Sequence, residues 1–361
     1  MVEAVAWGLA ERVAVRVAGT EPLARSYHYT SLAPDFEELT AEAEELVFQE
    51  LGFRSLRGAA RAQVVDRADW VRANIGSMRR LLRPLTERLS SSLRGPFAIP
   101  AQTLSGIEVG TMLGWMATRV LGQYDALLME EESDVAAGDV VYYVGPNVLA
   151  LEKRFGFPPR EFRLWLALHE VTHRVQFTGV PWMHDYFRGL IDATVNVADV
   201  DPKRFLEALR RAVDAVREGR NPLDEGGLVA LLAGPEQYET LQKTQGLMSL
   251  LEGHGDVTMN RAGQGRVPSA ERFAATLHAR RNQRQPAVAK FVQQLVGLDA
   301  KMKQYEAGER FIEAVEADGG PALLARVWEA PENLPTLGEI REPAEWIRRI
   351  TNTAPKLALA E

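Results

Sequence analysis

Apolar positions recur every three to four residues along most of the chain, the period of a helix with one buried face. Ala, Leu, Arg and Glu dominate these stretches, and all four favour helices. The pattern predicts a first amphipathic helix ending near Gly19, a second over Asp35 to Leu51 and a long one over Val64 to Leu89. Arg94-Gly95-Pro96 and Pro100 mark a loop. Gly106 to Leu128 reads as a buried helix, and Gly106, Gly110 and Gly114, spaced four apart, suit a close helix–helix contact. Further helices are expected over Pro202 to Val216, Glu236 to Asn260, Glu271 to Arg281, Ala287 to Val296 and Leu298 to Ala317.

The period changes once. Val140-Val141-Tyr142-Tyr143-Val144 is β-branched and aromatic, the one convincing strand, and Gly145-Pro146-Asn147 is expected to turn it. Glu130 to Asp134 reads as a solvated acidic loop, and Gly319-Gly320-Pro321 as a break. The expected fold is therefore mainly α with a small β-sheet. Two lobes sharing one core are expected: residues 1–135, helical, and residues 136–361, which carry the candidate site and the C-terminal helices.

Composition narrows the function classes. A net charge of -7 and the lack of a basic patch argue against a phosphate backbone, so no nucleic-acid partner is expected. No apolar run reaches the roughly 18 residues of a membrane span, so no membrane partner is expected either. Cysteine is absent, which rules out disulfides and thiolate metal sites and suits a reducing compartment. Glu3, Glu11, Arg12 and Arg16 break up the N-terminus in a way that a secretory leader does not, and a cytoplasmic location is the expectation.

The chemistry converges on Phe162 to Pro181. Pro158-Pro159 suits a helix start, and Gly179 with Pro181 suits its end. Within it stands His169-Glu170-Val171-Thr172-His173, an H-E-x-x-H pattern. Two histidines one turn apart can each give a nitrogen to Zn²⁺, and Glu170 is then placed to act as a general base. The longer pattern with a third histidine fails, because Gln176 replaces its glycine, Gly179 replaces its histidine and His184 lies too far on.

A third ligand is sought in the helix Glu236 to Asn260. Glu252 and Asp256, four apart, share a face there. His254 is an alternative ligand, but it sits about 200° around the helix from Glu252, so the two cannot easily reach one ion. Glu252 and Asp256 resemble the E-x-x-x-D element of gluzincin metallopeptidases. That likeness implies a glutamate on zinc and an aspartate orienting a ligand histidine.

Longer segments carry a broader resemblance: Leu113-Gly-Trp115, Arg119 to Asp125, Tyr143 to Asn147, Phe157 to Trp165, Val180-Pro-Trp182, Met248 to His254 and Leu298 to Tyr305. With these the chain resembles, nearly end to end, the bacterial zincin-like metallopeptidases first catalogued as proteins associated with deazaflavin-coenzyme biosynthesis. The resemblance implies a zincin-like fold and a peptide or protein substrate. The expected function is a zinc metallopeptidase in which Glu170 takes a proton from zinc-activated water. The strand Val140 to Val144 is a candidate for pairing with an extended peptide. Tyr305, His184, Lys301 and Tyr186 are candidates for stabilising the transition state. The alternative is a non-catalytic metal-binding or helical interaction protein, for which Glu170 has no evident use.

Overall fold

A computed structural model describes residues 3–21, 23, 26–83, 86–87, 98–124, 139–195, 235–281 and 301–353. The expected helices at Pro202 to Val216 and Ala287 to Val296, the acidic loop Glu130 to Asp134 and the lobe boundary at 135/136 lie outside the described residues. In chain order the elements are α1 (Trp7–Ala18), α2 (Tyr27–Thr30), α3 (Leu32–Leu51), β1 (Arg61–Val65), α4 (Arg67–Leu81), α5 (Ala98–Ala117), β2 (Gly122–Tyr124) and β3 (Val140–Val144). They continue with α6 (Gly145–Phe155), α7 (Pro159–Thr178), α8 (Met183–Val195), α9 (Pro235–Ala262), α10 (Ala270–Arg281), α11 (Lys301–Ala325), α12 (Leu337–Arg341) and α13 (Pro343–Thr353). The protein is mainly α with a small sheet, as its periodicity predicts.

The chain divides into two units, Met1–Gly179 with Thr258–Phe291, and Val180–Val257 with Val292–Glu361. The first holds the sheet, in the order β1-β3-β2. β1 runs parallel to β3, with Ala62 opposite Val141 and Val64 opposite Tyr143. β2 runs antiparallel, with Gly122 opposite Tyr143 and Tyr124 opposite Val141. As the central strand, β3 is covered on both faces. Val141 and Tyr143 enter one core with Phe36, Leu39, Phe162 and Val175, while Val144 enters another with Trp7, Trp70, Val71 and Leu113. Tyr143 stacks on Phe36, and its hydroxyl pairs with Thr40 at 2.8 Å, so the buried phenol is satisfied.

Four expectations are corrected. The segment beginning at Val64 is a strand first and a helix afterwards: Asp66 caps α4 by accepting the Asp69 N–H at 2.7 Å, which stops the helix from reaching back into β1. The helix expected over Gly106 to Leu128 starts earlier, at Ala98, with Pro100 in its first turn, and ends at Ala117. Gly122–Tyr124 then forms β2. Gly145-Pro146-Asn147 is not a turn but the first turn of α6, where proline loses no helical hydrogen bond. Asn147 is buried there, donating to the Ala117 and Val120 carbonyls and accepting from Arg67 Nε at 2.7 Å. The fourth concerns β3: with β1 and β2 on its two edges it has no edge left for a peptide.

The glycine spacing in α5 does what it predicts. A Cβ on Gly110 would lie 2.8 Å from Val13 Cβ and 3.0 Å from Ala10 Cα, and one on Gly114 would lie 2.6 Å from Val17 Cβ. The backbones of α1 and α5 therefore touch directly. Gly110→Ala is expected to lower stability by about 1–3 kcal/mol, the range for overpacking a tight contact. An unchanged denaturation midpoint would show that the two helices can part freely.

In the second unit α9 and α11 meet through another bare contact, since a Cβ on Gly253 would lie 2.6 Å from Gly308 Cα. α11 bends at Gly320, whose φ of 69° favours glycine, at the predicted Gly-Gly-Pro break. Thr336 and Glu339 form a capping box on α12, and Arg349 binds Glu339 at 2.6 Å and the Leu334 carbonyl at 3.0 Å. No described helix is long and apolar enough to cross a membrane.

Candidate metal centre

α7 starts and ends where its sequence says it should. Pro158 is the N-cap, Pro159 the first helical residue and Gly179 the C-cap. Gly179 is right-handed, with φ -87°, so it is not there for backbone freedom. A Cβ at this position would lie 2.7 Å from the Val175 carbonyl and 2.8 Å from Phe53, so the close approach requires glycine. Phe162 to Leu168 is buried without interruption, which makes α7 a core helix.

His169 and His173 share a stripe on α7, their rings 4.6 Å apart at 88°. Both are half-buried. His173 Nδ1 lies 2.9 Å from the amide oxygen of Gln176, which is fully buried. An amide oxygen only accepts, so His173 Nδ1 donates in this pair and Nε2 is the nitrogen left to face a ligand. Gln176 has no expected role at the site from the sequence, where it counts against the longer histidine motif and, with Phe177, toward the family resemblance. Its position three residues after a histidine on one helix was the available signal.

Glu170, on the next stripe, is buried, and Oε2 accepts the Tyr124 backbone N–H of β2 at 3.1 Å. One turn on, Arg174 is fully enclosed. It donates to both oxygens of Asp139, to Glu44 and to the Gly58 carbonyl. Burial alone would lower the guanidinium's pKa; the hydrogen bond to Asp139 and the charges of Asp139 and Glu44 outweigh it and raise it. α7 is thereby fixed beside the sheet.

On α9, Glu252 and Asp256 are half-buried one turn apart. His254 is buried, its ring 4.8 Å from that of Trp328. Among the described residues, one group of metal-ligating side chains stands out: His169, His173 and Glu252 each offer a ligand atom, and these atoms lie within 4.8 Å of one another. His254 is not part of that group.

The other candidates are more scattered. His184 Nδ1 lies 3.5 Å from Asp185. Tyr186 stacks edge-on with Trp182, and burial, partly opposed by Lys243, raises its phenol pKa. The phenol therefore keeps its proton at neutral pH. Lys301 and Tyr305 begin α11, and their side chains lie outside the described residues.

A crystal structure from Chloroflexus aurantiacus, described as a candidate hydrolase with a novel fold, superposes with a TM-score of 0.72 at 32% identity, covering 96% of this chain and 99% of that one. No curated protein matches. The family described as zincin-like metallopeptidase matches residues 5–347, and the protein belongs to that family.

Proposed function

We propose that the protein is a zinc-dependent hydrolase of peptide bonds, with His169, His173 and Glu252 as ligands and Glu170 as general base. The observation that carries this reading is the approach of two imidazoles and a carboxylate to within 4.8 Å, with a buried glutamate next in sequence to the first of them. Two nitrogens and one carboxylate oxygen form the ligand set of a known class of catalytic zinc sites, so the residues fit the ion. Bound there, Zn²⁺ supplies a Lewis acid that makes water acidic near neutral pH and polarises a carbonyl.

The chain's own residues supply the rest. Glu170 accepts the proton of the attacking water and passes it to the leaving amine. Tyr124 N–H steadies its carboxylate meanwhile. Gln176 holds His173 in the tautomer that leaves Nε2 for the metal. Asp256, one turn beyond Glu252, is assigned to orient a ligand imidazole. Family membership supports a peptide substrate.

Metal content by mass spectrometry and cleavage of casein, with and without a chelator, test the proposal. One equivalent of zinc and chelator-sensitive cleavage are expected. His173→Ala and Glu252→Ala should weaken zinc binding by more than the about 10–100-fold lost when a ligand's hydrogen-bond partner is removed. Stoichiometric zinc without cleavage would instead favour a non-catalytic metal-binding protein. A metal-free protein that stays folded would overturn both.

A further inference from the structure

The position of Glu170 is set from outside its own helix, by a strand of three residues. β2 pairs with β3 so that the Leu121 carbonyl accepts the Val144 N–H at 2.8 Å. Antiparallel pairing alternates, so Gly122 and Tyr124 turn their backbone polar groups away from β3. The outward N–H of Tyr124 is the one that meets Glu170 Oε2. Two residues earlier, a Cβ on Gly122 would lie 2.6 Å from Glu170 Oε1, 2.7 Å from Cγ and 2.8 Å from Cδ. The carboxylate lies directly on the bare Cα of Gly122. Gln123, between them, points to the opposite face, accepting Trp70 Nε1–H at 2.7 Å and donating to Asn74 at 3.1 Å. β2 is therefore pinned to α4 and cannot easily retreat.

We propose that Gly122 is a positioning residue for the general base: its missing side chain, with the Tyr124 N–H, fixes where the Glu170 carboxylate stands. This rests on Glu170 being the base. Gly122 touches no substrate and acts only through Glu170. Its φ is not positive, so steric room rather than backbone freedom is what the glycine provides. A β-carbon would push the carboxylate aside by about an ångström, a displacement that can cost on the order of 100-fold in rate.

The test is a double-mutant cycle read two ways. By thermal unfolding, Gly122→Ala is expected to lower Tm in the natural protein but not in a Glu170→Ala background, where all three crowded atoms are gone. Should Gly122→Ala alone fail to fold, recovery of folding in the double variant is the same result. By kinetics, Gly122→Ala should lower kcat about 100-fold with KM and zinc content unchanged, and should add nothing to Glu170→Gln. An equal Tm loss in both backgrounds, or a kcat like that of the natural protein, would overturn the proposal. Full activity in Glu170→Gln would instead remove Glu170 as base, and the unfolding cycle would still report whether Gly122 positions it.

Discussion

Glu170→Gln is expected to lower turnover by about 10²–10⁴-fold, the usual contribution of a positioned acid or base, while zinc content and unfolding temperature stay close to those of the natural protein. The substitution keeps the shape of the side chain, so the Tyr124 N–H can still donate to an amide oxygen where it now meets Oε2. What is lost is the capacity to accept a proton. Glu170 is buried, and a carboxyl-sized group in that place is already accommodated by β2. The measurement is kcat on a peptide substrate beside metal content from the same preparation. Loss of zinc together with activity would mean that Glu170 supports the site structurally; activity within about tenfold of normal would remove it as the base.

The largest effect on stability is expected from Arg174→Ala. This side chain is fully enclosed and binds Asp139, Glu44 and the Gly58 carbonyl, linking α7 to the start of β3, to α3 and to the loop before β1. Removing it leaves Asp139, itself buried, as an uncompensated charge. Breaking such a pair from one side costs about 3–5 kcal/mol, a large part of the roughly 5–15 kcal/mol that holds a domain folded. Arg174→Lys should recover only part, because an ammonium cannot reproduce the planar fork on both Asp139 oxygens. Equilibrium denaturation of the three proteins decides it. A loss below about 1 kcal/mol for Arg174→Ala would show that the network is solvated and contributes no more than a surface pair.

The helix that carries the candidate site was legible in the sequence. Two histidines four apart on a helix must share a face, and the proline and glycine signals bounded α7 at the positions observed. The glycines of α5 likewise announced a backbone contact, and α1 supplies it. Other features were hidden for identifiable reasons. Val64 and Val65 fit a helix as well as a strand, because a short apolar run carries no period of its own; pairing with β3 made the choice. β2 is three residues long and has no pattern at all. Nothing along the helix marks Arg174 out, since its partners stand 35 and 130 positions away.

By itself the sequence determined the helical class, the stripe that carries His169 and His173, and the place of Glu170 beside it, all consequences of spacing along one element. Only the tertiary structure shows ligand atoms of His169, His173 and Glu252 within 4.8 Å of one another, because spacing along one helix says nothing of a residue some eighty positions on. It also decided that β3 is enclosed rather than an edge, and that the carboxylate of Glu170 rests on Gly122. Those are contacts between elements, and no period within a single element encodes them.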